Sequence, residues 1–258
     1  MKDSFCFEGS DQEQLKRLYR EWQIDMAFHS NKMEGNQLTY NQVKYLFDEE
    51  TVFIEKEQSV SLNDMYEITN HFDALNFIFN LADNDLDIHT IKQLHSLLRR
   101  KTDDERKPFT PIGEFKIRPN VIGVIDSVPT TNPLQVEFEL QKLIEPYVKK
   151  ENIVFEDIVD FHVKFERIHP FADGNGRVGR LIVFKECLKN NIVPSILLNH
   201  HRQFYIMGLK EYGVSRERLL DTFRAGQDYC KEVLAKTAFS GEISDIAKQL
   251  NRNRDYEM

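Results

Sequence analysis

Hydrophobic residues recur at intervals of three and four along most of this chain, and few segments alternate between apolar and polar residues. The first pattern is typical of amphipathic α-helices, and the second would indicate half-buried strands. Segment 11–33 is a clear case, because Gly35-Asn36 supplies a stop signal and its apolar face contains Leu15, Leu18, Trp22 and Met26. Further helices are predicted near residues 40–49, 61–82, 88–101, 133–150, 157–168, 176–190, 202–212, 215–236 and 241–251. The predicted fold class is therefore all-α, a compact helical bundle.

Two segments depart from this pattern. Segment 176–190 is apolar on most sides, which places it at the centre of the domain. Residues 108–131 instead combine prolines, glycines and β-branched residues. There we predict a short β-hairpin, with strands at 115–117 and 121–125 around a turn at 118–120.

The composition argues against several classes of protein. The chain is 41% hydrophobic and 29% charged, as in ordinary globular proteins, and it contains no apolar run of about 18 residues that would span a membrane. A net charge of −8 argues against nucleic acid as the default ligand. Cys6, Cys187 and Cys230 are odd in number and lack metal-site spacing, so we expect neither disulfides nor zinc and predict a cytoplasmic protein.

The segment from His169 to Arg180 reads His-Pro-Phe-Ala-Asp-Gly-Asn-Gly-Arg-Val-Gly-Arg. Gly174 and Gly176 allow a ligand to approach the main chain closely. The following helix begins near Gly176, and its free N–H groups and positive dipole end favour an anion. Arg177 and Arg180 leave the same side of its first turn, and each offers a planar fork that suits phosphate. The segment therefore predicts a polyphosphate site.

Two further side chains of this segment add chemistry. Asp173 is a carboxylate beside the predicted polyphosphate, the usual anchor for Mg²⁺. His169 has the side chain that readily loses a proton near neutral pH, so it could deprotonate an incoming hydroxyl group. Taken singly, a histidine before proline or a Gly-Asn-Gly turn is more often structural. Their convergence within twelve residues favours the functional interpretation.

The same segment resembles the signature of the Fic family, HxFx(D/E)GNGRxxR, at all eight specified positions. The chain is identified on this basis as a member of the Fic family, and the motif at residues 30–36 described below resembles that of the branch with an N-terminal inhibitory helix (class II type). The resemblance extends from about residue 11 to about residue 236 and implies a Fic fold with one β-hairpin flap. The resemblance divides the chain into three parts. Residues 1–36 would form an N-terminal helix with the inhibitory motif, and residues 237–258 a C-terminal extension. The Fic core would lie between them at 37–236, with the flap at 113–131 and the Fic loop at 169–180.

The resemblance implies a protein adenylyltransferase, which transfers AMP from ATP to a Ser, Thr or Tyr hydroxyl of a target protein and releases pyrophosphate. In this assignment ATP is the substrate and Mg²⁺ the cofactor. His169 would be the general base and Asp173 the metal ligand. The phosphates would be held by Gly174, Asn175, Gly176, Arg177 (β-phosphate) and Arg180 (γ-phosphate).

Two further segments resemble parts of Fic proteins. Segment 113–123 is similar to the flap, which binds the target peptide by adding it as a strand. The docking residues would be Lys116, Asn120, Val121, Ile122 and Gly123, although the family often has arginine at the position of Lys116. A weaker similarity places Phe204, Tyr205 and Tyr212 at the adenine pocket.

An inhibitory motif is predicted near the N-terminus. Ser30-Asn-Lys-Met-Glu-Gly-Asn36 resembles the pattern (S/T)xxxE(G/N), in which the glutamate reaches the second arginine of the signature. Glu34 would then occupy the donor fork of Arg180 that the γ-phosphate needs. The motif is short, and without the downstream signature Glu34 would be interpreted as a solvated residue at a helix end.

Alternatives remain open from the sequence. Glu34 could align a water molecule that removes AMP, or the chain could be a non-catalytic peptide-binding module that holds a nucleotide. Segment 242–250 faintly resembles the start of a helix-turn-helix, but no basic recognition helix follows, so nucleic acid is not an expected partner. The expected partner is a target protein bound through the flap, and the family resemblance also allows self-modification and a homodimer.

Overall fold

The computed structural model of this chain describes residues 10–54, 59–122, 128–237, 242–243 and 245–246. Within these ranges the chain forms nine α-helices: α1 (Ser10–Met33), α2 (Tyr40–Glu49), α3 (Leu62–Asn80), α4 (Ile88–Arg99), α5 (Val136–Val148), α6 (Phe155–Ile168), α7 (Asn175–Lys189), α8 (Arg202–Glu211) and α9 (Glu217–Thr237). The all-α prediction is confirmed, and the first nine predicted helices each overlap an observed one. The predicted helix at 241–251 lies largely outside the described residues.

Local sequence signals explain where several helices begin. Thr39 caps α2 in a reciprocal capping box with Gln42. Ser61 and Asp87 cap α3 and α4, since their side chains accept hydrogen bonds from the free N–H groups of the first turn. These caps fix the starts of the two helices that later supply side chains to the site.

The core is built around α7, which is buried on nearly every side. Trp22 of α1 packs edge-on against Phe184 of α7, with ring centroids 5.3 Å apart. Phe79 of α3 also contacts Phe184, at 6.1 Å. Burial of large aromatic side chains is among the strongest contributions to core stability. Helix α1 therefore shares its core with α3 and α7, and the first turn of α7 emerges from a rigid centre.

The flap differs from the prediction in its strand pairing. Strand β1 (Val121–Ile122) pairs antiparallel with β2 (Val128–Pro129), with Val121 opposite Pro129. The prediction that segment 115–117 forms the first strand is wrong. The N–H of Lys116 donates to the carbonyl of Pro170 at 2.9 Å, so this segment is attached to the loop before α7 instead of to β1. The connection between the strands, which includes Gly123, lies outside the described residues.

Among the residues that the structure describes, no helix combines the length and the apolar character needed to cross a membrane.

Candidate active site

The loop between α6 and α7 is held by its own hydrogen bonds. Asn175 is buried, and its side-chain amide both accepts from the N–H of Phe171 (2.8 Å) and donates to the carbonyl of Phe171 (2.9 Å). The first intrahelical bond of α7 runs from the N–H of Val178 to the carbonyl of Gly174 (3.1 Å). The N–H groups of Asn175, Gly176 and Arg177 have no carbonyl partner within the helix, so they are the groups available to an anion. The side chain of Asn175 is committed to loop closure, so its main-chain N–H is the group left for phosphate.

Gly174 and Gly176 are required for different reasons. Gly174 has a left-handed backbone with φ 79°, and a Cβ there would lie 3.1 Å from the side chain of Arg99. A Cβ at Gly176 would lie 2.6 Å from Oε1 of Glu34 and 2.8 Å from the guanidinium of Arg180. Gly176 thus leaves the space through which these two side chains meet.

His169 ends α6 in a left-handed conformation, with φ 51°. Its Nδ1 lies 3.3 Å from the carbonyl of Glu166, and because a carbonyl can only accept, Nδ1 carries the proton. Burial, assisted by the positive charge of Lys116, lowers the pKa of His169 to about 4. At neutral pH the imidazole is therefore uncharged, with Nε2 as a free base.

Glu166 is a buried carboxylic acid that the sequence interpretation missed. Its Oε2 lies 3.9 Å from Nδ1 of His169, and burial raises the pKa of Glu166 to about 7. No partner for its Oε1 lies among the described residues. The spacing offered a signal, because Glu166 follows His162 by four residues and so lies on the same face of α6.

Arg180 is paired with the end of α1. Its guanidinium donates to Oε1 of Glu34 at 2.7 Å, to the hydroxyl of Ser30 at 2.9 Å and to the carbonyl of Ser30 at 2.9 Å. The side chain of Arg180 is 3% exposed and that of Glu34 is 34% exposed. Burial opposes the charged form of Glu34, but Arg180 and Arg177 outweigh it and lower the pKa of Glu34. The structure thus brings together Ser30, Glu34 and Arg180, as the motif predicted.

Arg177 is paired with a second carboxylate, Glu67 of α3. One oxygen of Glu67 accepts from Arg177 at 2.8 Å and from Arg99 at 3.0 Å, and the other accepts from the side chain of Asn36 at 3.1 Å. Arg99 in turn donates to Asp173 at 3.0 Å. Glu67 and Arg99 were not predicted, because single charged residues within a helical pattern usually lie on a solvated face.

Asp173 fits the carboxylate of a magnesium site. Its side chain is 52% exposed, and although burial acts against its charged form, Arg177 and Arg99 lower its pKa, so it is ionised at neutral pH. Each of its oxygens retains acceptor capacity beyond its bonds to the N–H of Gly174 (2.7 Å) and to Arg99. No cluster of three or more His, Cys, Asp or Glu suited to a metal occurs among the described residues. Such a site suits Mg²⁺, which proteins often bind with one or two carboxylates and the phosphates of a substrate.

His95 of α4 connects the loop to the start of the flap. Its ring stacks on Phe171 with centroids 3.9 Å apart and an interplanar angle of 5°. Its Nδ1 accepts from the N–H of Gly113 (3.0 Å), so its Nε2 carries the proton and donates to the carbonyl of Asp173 (3.1 Å). This histidine therefore fixes the main chain at Asp173.

Comparison with known proteins identifies this arrangement. Residues 85–186, which include the whole loop, match the model of the Fic/DOC family. A protein adenylyltransferase Fic from Aedes aegypti is 26% identical over 194 residues, and the protein adenylyltransferase fic-1 from Caenorhabditis elegans is 24% identical over 203 residues. Residues 85–186 of this chain therefore contain a Fic domain. These alignments cover 74% and 76% of this chain but only 37% of each relative.

Solved structures share the Fic fold. A Fic domain containing signaling protein from Bacteroides thetaiotaomicron has a TM-score of 0.71 at 23% identity, covering 93% of this chain and 91% of that chain. Fic-1 from C. elegans has a TM-score of 0.69 at 21% identity, covering 88% of this chain and 66% of that chain. Likeness at these identities concerns the fold alone.

The predicted adenine-pocket residues of this Fic protein are not equivalent in the structure. Tyr205 and Tyr212 are buried in the core cluster formed with Phe223 and other apolar residues, and the Tyr205 hydroxyl lies 2.8 Å from Nε2 of His162. Neither ring has a free face for a base, which corrects the prediction for these two residues. Phe204 is half-exposed and remains the prediction for this pocket.

The predicted docking residues of the Fic flap also separate into two groups. Val121 is 54% exposed and Ile122 is partly exposed, so both lie where a peptide could pair with β1. Lys116 is buried, and Asn120 donates to the carbonyl of Phe171 at 2.9 Å. The prediction that Lys116 contacts a target is wrong, because its side chain points into the protein. Asn120 attaches the flap to the Fic loop.

Glu67→Ala is expected to lower the free energy of unfolding by about 3 kcal/mol, because it leaves the buried guanidinium groups of Arg99 and Arg177 without their shared carboxylate. The measurement is urea denaturation at pH 7. Glu151→Ala serves as the control, since Glu151 is exposed and should change the value by less than about 0.5 kcal/mol. Equal effects of the two substitutions would contradict a central role for Glu67.

Proposed function

We propose that this chain is a protein adenylyltransferase that transfers AMP from ATP to a protein hydroxyl group and that Glu34 holds it in an inhibited state. The observation that carries the proposal is the ion pair between Glu34 and Arg180. Arg180 lies on α7, whose N-terminus has no side-chain cap and follows the loop that contains the neutral His169. An arginine that would bind phosphate is thus already bound by a carboxylate of the protein.

The chemistry would proceed in one displacement. Nε2 of His169 takes the proton of the attacking hydroxyl, the hydroxyl oxygen forms a bond to the α-phosphorus, and the bond to the bridging oxygen breaks so that pyrophosphate leaves with its electrons. The N–H groups at the start of α7, with Arg177 and Arg180, would stabilise the negative charge. Asp173 would hold Mg²⁺, which would neutralise part of the charge on the phosphates. The protein contributes mainly position and charge.

The relatives support this choice of reaction. Those from A. aegypti and C. elegans are named as protein adenylyltransferases, and the aligned segment of this chain contains the histidine, the carboxylate and both arginines of the loop. The intact His169 and Asp173 favour an enzyme over a nucleotide-holding binding module, which would need neither group.

We propose that the target binds as an additional strand beside the flap. Strand β1 pairs with β2 on one edge, and Val121 is exposed. Main-chain hydrogen bonds to an extended peptide tolerate many sequences, so specificity would come from other surfaces of the target. The acceptor would be a Ser, Thr or Tyr hydroxyl brought to His169.

Removal of AMP is a second candidate that Glu34 supports. Its carboxylate has a lowered pKa, is about one-third exposed and adjoins Arg180, so it could align a water molecule against a phosphoester. If Glu34 has this role, Glu34→Gly should lower the rate at which AMP is removed from a modified target. If Glu34 is inhibitory, the same substitution should raise the rate of AMP transfer.

The deciding experiment is mass spectrometry of a cell lysate treated with Glu34→Gly protein and ATP. We expect peptides that carry one added AMP on Ser, Thr or Tyr, including peptides of this chain if it modifies itself. Lysate treated with Glu34→Gly,His169→Asn protein is the control and should lack them. Absence of AMP-bearing peptides at every concentration of enzyme would refute the proposed transfer.

A further inference from the structure

Lys116 donates hydrogen bonds to the main chain on both sides of His169. Its N–H donates to the carbonyl of Pro170 at 2.9 Å, and its ammonium donates to the carbonyl of Ile168 at 3.2 Å. A single residue of the flap segment thus holds the two carbonyl groups that flank the base.

The remaining donors of this ammonium are also used. Nζ donates to the side-chain oxygen of Asn120 at 2.8 Å and to the hydroxyl of Thr130 at 2.6 Å. An ammonium has three donors, so all three have partners within the protein. Lys116 is 2% exposed, which leaves it no surface for a target. A buried lysine is rare and is retained only where its charge or its bonds are needed.

The main chain at His169 requires such support. A left-handed conformation at a residue other than glycine is strained, and it persists only where the surroundings impose it. The following Pro170 restricts the backbone of His169 further. The bonds from Lys116 to both neighbouring carbonyls supply this restraint.

We propose that Lys116 is a positioning residue for His169: its bonds to the carbonyls of Ile168 and Pro170 hold the left-handed turn that aims the imidazole, and its ammonium places a positive charge next to the base. The second half rests on the proposed function, in which His169 is the base. The first half concerns the folded protein alone.

Four charged or titratable groups act on His169. The carboxyl of Glu166 lies 3.9 Å from Nδ1, and the charges of Asp173 and Glu34 favour protonation of the imidazole. Lys116 is the cation that opposes them, after burial, which is the larger influence on the pKa of His169. Because the charge of Lys116 is one of the causes that lower this pKa, removing the cation should raise it.

The test compares Lys116→Met, Lys116→Gln and Lys116→Arg by NMR titration of the His169 imidazole without nucleotide. Gln can still donate to the carbonyl of Ile168 but has no charge, and Arg keeps both features. We expect the pKa of His169 to rise by about one unit in the Met and Gln variants and to stay near its original value in the Arg variant. In the Glu34→Gly background, the acid limb of the pH–rate profile should shift to higher pH by the same amount.

Lys92→Met is the matched control. Lys92 lies over the ring of Phe115, the residue that precedes Lys116 in the chain. It makes none of the contacts to the carbonyls around His169. It should leave the pKa of His169 unchanged. If Lys116→Met and Lys116→Gln lower stability or activity while the pKa of His169 stays in place, the charge role is overturned. If the pKa rises but no AMP transfer occurs in any variant, the proposed function fails, while the effect of the Lys116 charge on the pKa of His169 stands.

Discussion

Glu34→Gly is expected to raise the rate of AMP transfer by about tenfold to hundredfold over the unmodified chain. The substitution removes the carboxylate that accepts from Arg180 at 2.7 Å and leaves the bonds from Arg180 to Ser30 in place. The guanidinium would then be free on the side where the γ-phosphate should bind. Gly176 leaves the same space open to the incoming phosphate, because it has no Cβ.

The size of the effect follows from the burial of the two partners. Breaking a fully buried ion pair costs about 3–5 kcal/mol. One-third of the Glu34 side chain is exposed, so water screens the pair and the coupling should be smaller. A coupling of about 1–3 kcal/mol corresponds to the expected range of rates. Since the pKa of Glu34 is lowered, the pair is intact from neutral pH down to the region of that pKa, so titration of Glu34 itself should not change the inhibition between pH 6 and 8.

The measurement is transfer of label from α-labelled ATP to protein, together with the rise in Tm that ATP causes. Glu34→Gly should increase both, because ATP no longer competes with the carboxylate. Glu49→Gly is the matched control: Glu49 is an exposed glutamate at the end of α2 and makes none of the contacts of Glu34. Labelling by Glu34→Gly no greater than that by the unmodified chain would exclude the inhibitory role.

The chemistry of the Fic loop could be predicted because its groups are adjacent in sequence. Asp173 and Arg177 lie within one short segment whose glycines and helix start indicate an anion site from local physics alone. The contact between Glu34 and Arg180 joins residues 146 positions apart. Only the family resemblance predicted it, since helical periodicity indicates which face of a helix is buried but not what that face meets.

Glu67 and Lys116 show why the remaining features could not be predicted. Each is a charged residue that a pattern analysis places at the surface, and each is buried because its partners come from distant segments. The error in the flap has a similar cause. Segments 115–117 and 121–125 have comparable β propensity, but strand pairing depends on tertiary contacts, here the bond from Lys116 to Pro170.

His169→Asn is expected to reduce AMP transfer in the Glu34→Gly background by about a hundredfold to ten-thousandfold, the usual contribution of a general base. Asn is preferred to Ala for this test because it tolerates the left-handed backbone that His169 adopts. The pKa of His169, about 4, predicts that transfer by the parent protein stays constant between pH 5.5 and 7.5 as far as this base is concerned. Protonation below that range would remove the free Nε2 and lower the rate.

The control for this prediction separates catalysis from binding and folding. His89→Ala changes an exposed histidine of α4 and should leave transfer unchanged. Calorimetry should give His169→Asn an ATP affinity within about threefold of the parent, because the phosphate-binding groups of α7 are untouched. Retained transfer by His169→Asn would remove His169 as the base, and the buried carboxyl of Glu166, with its pKa raised to about 7, would then be the nearest group able to accept the proton. Loss of both binding and transfer would instead show that His169 supports the shape of the loop. The expected combination, intact binding without transfer, arises only if the imidazole acts on the hydroxyl.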